Sequence, residues 1–134
     1  DELSDCYFNL GEICMLQKQY QPALENYLTG LDIDKKQNNK LNLSGDYIML
    51  GELYAEMDQK AQAEKYFLDA VEIAKELNNR MDLADAYNNL GVLYKADGKI
   101  RKARDSWRLA QEIYKQSDPV RSEQVKNNLL GLDQ

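Results

Sequence analysis

The chain has 134 residues, the length of about one domain, and its 43% apolar content is enough for a continuous core if those residues recur at regular spacing. A formal net charge of −6 argues against nucleic acid, which demands clustered Lys and Arg, and the absence of histidine argues against a zinc site. No apolar run approaches the roughly 18 residues that cross a bilayer, so neither a membrane nor a metal or other cofactor is expected, and the partner expected is apolar or basic.

A first helix is predicted over residues 3–17. It carries both cysteines, Cys6 and Cys14, eight residues and therefore about 12 Å apart. A disulfide needs Cα atoms within about 7 Å, so the two are expected as free thiols, which fit a reducing, cytoplasmic compartment. A second helix is predicted over 21–37, with Pro22 in its first turn, where the missing N–H costs nothing, and Asn38-Asn39 as the break after it.

Leu43, Tyr47, Leu50, Tyr54 and Met57 recur at three- and four-residue steps and predict an amphipathic helix over 41–57. Asp58, Gln59 and Lys60 form the next turn, and Ala63, Phe67, Ala70, Val71 and Ala74 stripe a helix over 60–77 that ends at Asn78-Asn79. The same spacing predicts helices over 81–97 and 100–116, separated by Asp97-Gly98. Asp118 suits an N-cap and Pro119 opens a seventh helix over 119–131. Its Arg121, Ser122, Glu123, Lys126 and Asn128 suit a polar end cap, while Leu130-Gly131 fits half of a further hairpin equally well. The chain starts at Asp1 without methionine and stops inside a partial unit, so it is expected to be a piece of something longer.

One period organises these elements. Leu-Gly stands at Leu10-Gly11, Leu50-Gly51, Leu90-Gly91 and Leu130-Gly131, forty residues apart each time. Tyr7, Tyr47 and Tyr87 precede it in phase, and Cys14, Tyr54 and Tyr94 follow it. Ala23, Ala63 and Ala103 then align, followed by Tyr27, Phe67 and Trp107 and by Gly30, Ala70 and Ala110. Small residues let neighbouring helices approach, and the aromatic fills the groove beside them.

This aromatic-x-x-Leu-Gly-x-x-Tyr and Ala-x-x-x-aromatic-x-x-Ala pattern resembles the tetratricopeptide repeat, over units 4–43, 44–83 and 84–117 with 118–134 as a cap or partial fourth unit. Two departures stand out: Lys35, Lys75 and Lys115 replace the proline that often closes the second helix, and the unit has 40 residues where 34 is commonest. Lengthened units of this kind are similar to those of kinesin light chains, Pins-type adaptors, bacterial peptide-sensing regulators and sensor-kinase input domains. The resemblance implies an all-α fold, a right-handed superhelix of antiparallel hairpins with about seven helices, and a concave groove lined by the first helix of each pair.

By phase, the expected groove residues are Asp5, Phe8, Asn9, Glu12, Met15 and Leu16 of the first unit. The second contributes Gly45, Ile48, Met49, Glu52, Ala55 and Glu56, and the third Asp85, Asn88, Asn89, Val92, Lys95 and Ala96. Such a groove is greasy and negative. It lacks the lysines and arginines with which chaperone-binding relatives grip a C-terminal carboxylate. Asn9 and Asn89 share one repeat position, where related modules use an amide to donate to and accept from a ligand's backbone; solvated surface amides are the alternative. The tyrosines and Trp107 fall in core phase, which leaves Phe8 as the one aromatic expected to contact a ligand.

Catalysis has no support: there is no histidine, no Gly-rich phosphate loop and no nucleophile with a base in motif context. The expected function is a non-enzymatic protein-interaction scaffold that takes a peptide or partner helix in its groove. The alternatives are a sensory or regulatory segment of a larger signalling protein, such as a sensor kinase or transcription regulator, or a self-associating module that forms a homo-oligomer.

Overall fold

Each of the first five helix connections is the same three-residue turn, and this uniformity sets the architecture. The computed structural model describes residues 1–133 and contains α1 (Glu2–Leu16), α2 (Tyr20–Lys36), α3 (Lys40–Glu56), α4 (Lys60–Glu76), α5 (Arg80–Ala96), α6 (Ile100–Ser117) and α7 (Pro119–Gly131). Lys18, Asn38, Asp58, Asn78 and Gly98, twenty residues apart, all sit at positive φ between 53° and 74°. The residue after each returns its N–H to the carbonyl five positions back: Gln19 to Cys14, Asn39 to Asp34, Gln59 to Tyr54, Asn79 to Ala74 and Lys99 to Tyr94. This left-handed helix stop satisfies the orphan carbonyls, and Asn, Asp and Gly tolerate it best. Most helices end one residue before the predicted boundary because the left-handed residue must be preceded by a C-cap position.

Within each hairpin the second helix sets a ring against the glycine of the first. A Cβ on Gly11 would lie 2.4 Å from the Tyr27 ring, one on Gly51 2.5 Å from Phe67, and one on Gly91 2.3 Å from Trp107. Hairpins then stack through the alternate positions of the first helix: Leu43, Leu50 and Leu53 are buried with Tyr27 and Leu31 of the preceding hairpin. Tyr27, Tyr94 and Trp107 are buried as expected, whereas Tyr7, Tyr47, Tyr54 and Tyr87 are half-buried. Tyr54 stacks on Tyr66 at 5.5 Å.

The lysines that stand where proline often does have a role of their own. Lys35 sits 5.8 Å from the Tyr47 ring centre and Lys75 6.0 Å from that of Tyr87, so each covers the half-buried tyrosine of the next hairpin.

The regularity fails at both ends. Leu3, Leu10 and Ile13 are exposed, although their counterparts Leu43, Leu50 and Leu53 are buried. The α6–α7 connection is the single residue Asp118, at φ −147° in place of a left-handed turn. Since each residue turns a helix by about 100°, α7 presents a different face: Val125 is buried, Leu129 and Leu132 pack on the core, and Leu130 is 56% exposed. The fourth Leu-Gly is therefore unlike the other three, and nothing lies within 4 Å of where a Gly131 Cβ would be.

Ring contact, not helix propensity, decides what each glycine tolerates. Gly51→Ala drives a methyl into Phe67 and is expected to cost about 1–3 kcal/mol. Gly45→Ala, whose Cβ meets nothing within 4 Å, should gain about 0.5–1 kcal/mol. Urea unfolding followed by helical circular dichroism measures both, and equal effects would refute the ring contact as the cause.

Candidate functional site

The first helices α1, α3 and α5 lie side by side, and two cavities open along the surface they form. One, of about 370 Å³, is lined by Glu52, Ala55, Glu56 and Asp58 of the second unit, by Asn89, Val92, Leu93 and Ala96 of the third, and by Lys60 and Phe67. Val92 is 53% exposed there. Asn89 Nδ2 donates to Glu52 Oε1 at 3.3 Å and to the Asp85 carbonyl at 3.0 Å, which fixes the amide and leaves its oxygen free to accept. Burial pushes the half-buried Glu52 carboxyl up; Asn89 opposes this, while the charges of Asp85, Glu12 and Glu56 add to it.

The second cavity, about 570 Å³, lies between α1 and α3 and is lined by Asp5, Phe8, Asn9 and Glu12, by Leu41, Asn42, Gly45, Asp46 and Met49, and by Asp82 of α5. Asp46 is its least expected member. It is only 6% exposed, and it meets the fully buried Asp34 of α2. Both Asp34 oxygens and Asp46 Oδ2 lie buried without an N–H or hydroxyl partner among the described residues, and the two carboxyls face each other. Burial, then the hydrogen bond and charge of Asp34, then Asp5, push Asp46 up to about 9.

Several expected groove residues turn out to be structural. Phe8, expected as a ligand contact, is buried and stacks on Tyr27 at 5.3 Å, in the space that Gly30 leaves for its ring. Ile48, forty residues on, is buried in the core with Phe67 and Ala70. Asn88, at the same position of the third unit, accepts from Trp107 Nε1 at 3.1 Å through its side chain. The position two before the Leu-Gly leucine thus packs on the second helix of its own hairpin, and only Phe8 of the three also borders a cavity. Asp85 is paired: it accepts from the Tyr114 hydroxyl and lies 2.6 Å from Arg121 of α7. Lys95 is exposed and lines neither cavity.

Asp5, Asn9, Glu12 and Met49 come together in one cavity, and Glu52, Glu56, Asn89 and Val92 in the other. The sequence expectation omitted Asp34 and Asp46. The signal was available, because forty residues later the same positions hold the buried alanines Ala74 and Ala86.

Two sequence profiles, each described as a tetratricopeptide repeat, match residues 4–37 and 42–116. Among solved structures, BtubC (BKLC) of P. vanneervenii is 24% identical and superposes with a TM-score of 0.88 over 97% of this chain and 55% of its own. The apo form of RapI is 20% identical, with a TM-score of 0.90 over 98% of this chain and 48% of its own. The first repeat domain of Spaghetti (RPAP3), solved bound to the HSP90 peptide SRMEEVD, is 18% identical, with a TM-score of 0.76 over 98% of this chain and 91% of its own. The chain thus spans about half the length of the BtubC and RapI structures. No curated protein matches it significantly.

The Asp34–Asp46 pair has a measurable consequence. Between the ordinary aspartate value near 3.8 and the folded value of about 9, the folded chain holds a proton that the unfolded chain has lost. The stability it contributes is complete below the lower value and is lost as pH rises through the upper one. Thermal midpoints of the wild type should therefore fall between about pH 5 and pH 9 relative to those of Asp46→Asn, and parallel profiles would contradict a proton held by Asp46.

Proposed function

The chain belongs to the tetratricopeptide repeat family, and from that premise we propose that it is a non-enzymatic interaction scaffold, holding a peptide or partner helix along the surface formed by α1, α3 and α5. The observation that carries this reading is the cavity around Asn89. Val92, Leu93, Ala55 and Ala96 supply an apolar seat, Glu52 and Glu56 a negative rim, and the immobilised Asn89 a free carbonyl for a backbone N–H. That combination suits an apolar anchor residue next to a lysine or arginine. An acidic tail such as the Glu-Glu-Val-Asp end of the Spaghetti ligand would be repelled by Glu12, Glu52 and Glu56.

The test is a random-peptide library selected on the chain. Selected sequences should pair an apolar residue with a basic one. Val92→Asp should weaken them by about tenfold or more, the cost of placing a charge against an apolar anchor, and leave helical circular dichroism unchanged. Peptides that bind Val92→Asp as well as the wild type would overturn the assignment. Phe8 is no site for such a test, because its truncation opens a core cavity.

A second reading, self-association, rests on the apolar face of α1, where Leu3, Leu10 and Ile13 stand exposed at positions that are buried in α3. Sedimentation across a concentration series should then show dimers that Leu10→Lys abolishes; a monomer at every concentration would remove this reading.

A further inference from the structure

We propose that the cavity between α1 and α3 is a receptor for a single cationic side chain, an alkylammonium or guanidinium, whose charge is taken by Asp46 with Asp34 behind it. This rests on the reading of the α1–α3–α5 surface as the binding face and names a subsite within it. The carboxylates that line the cavity are Asp5, Glu12, Asp46 and Asp82, and no lysine or arginine lines it. Asp82 is already engaged, accepting from Ser44 Oγ and from Asn79 Nδ2. Asp46 is different: it lines the cavity wall in a side chain more than nine-tenths buried, and its Oδ2 meets no N–H or hydroxyl donor, only the carboxyl of Asp34.

The cost of that arrangement is what points to a ligand. At the next hairpin junction the same two positions are Ala74 and Ala86, both fully buried, so the packing needs no polar group there. Two carboxyls in their place, facing each other and lacking other donors, weaken the junction and return nothing to the fold. A cation entering the cavity would supply the missing donors and release the Asp46 proton to solvent. The walls suit the methylene stem of such a side chain, with Phe8, Leu41 and Met49 apolar and Gly45 leaving room where a side chain would otherwise project.

Binding of this kind is pH-dependent, because cation and proton compete for one carboxyl. The titratable groups facing Asp46 are Asp34 from α2, Asp5 from α1, and Tyr47 on α3 itself, with Glu12 and Asp82 on the same cavity.

Titration with n-butylammonium, a lysine side-chain mimic, and with neutral n-butanol, followed by amide NMR shifts, tests the proposal. The ammonium should bind saturably, shift Gly45, Asp46 and Met49, and gain about tenfold in affinity per pH unit from about pH 6 to 8, as expected for displacement of one proton. Asp46→Asn should weaken it by about tenfold or more, and so should Gly45→Leu, which fills the cavity and leaves both carboxyls intact. Absence of saturation, equal affinity for n-butanol, or unchanged affinity in Asp46→Asn would each overturn the proposal. The Val92→Asp peptide experiment probes the other cavity, so failure of one reading is distinguishable from failure of the other.

Discussion

The contact on which the rest of this structure depends is the ring laid against a glycine sixteen residues earlier: Tyr27 on Gly11, Phe67 on Gly51 and Trp107 on Gly91. It brings the two helices of a hairpin closer than any side chain at the glycine would allow. In the third hairpin Trp107 adds a hydrogen bond to Asn88, which ties the same ring to the partner helix. Combined with turns of constant length and handedness, this one contact repeats the hairpin every forty residues and aligns the first helices into a continuous surface. Where the connection shortens, at Asp118, the repeat is lost and α7 docks by different means: Val125, and the Asp85–Tyr114–Arg121 cluster.

The two inner junctions set equivalent repeat positions against each other with opposite chemistry. Between α4 and α5 the core positions are Ala74, Ala84 and Ala86, all fully buried. Between α2 and α3 they are Asp34, Ser44 and Asp46. A repeat protein is approximately a sum of units and nearest-neighbour interfaces, so polar substitution at one interface weakens that interface alone. The chain thus concentrates its buried polarity beside the cavity between α1 and α3.

The helices were legible in the sequence because their signal is local. Leu43, Tyr47, Leu50 and Tyr54 mark one face whatever surrounds them, and Asn38, Asp58, Asn78 and Gly98 are residues that accept a left-handed stop. The candidate surface was only partly legible. A groove position and an intra-hairpin position differ by about 100° of helix rotation, one residue in the sequence, and Phe8 falls on the wrong side of that line. Asn88 and Asn89 illustrate the point: adjacent and chemically identical, one holds Trp107 and the other reaches Glu52.

By itself, then, the sequence determined the repeat, its forty-residue length, the helix count and the negative, apolar character of the first-helix surface, because periodicity and composition follow from the order of residues alone. Only the tertiary structure decided that Phe8 and Ile48 belong to the core, that Asp85 is neutralised by Arg121, that Leu130 faces outward, and that Asp34 and Asp46 meet in a buried pair. These are facts of contact between residues from different helices. The free energy of such a contact depends on the burial and the partner that the fold supplies.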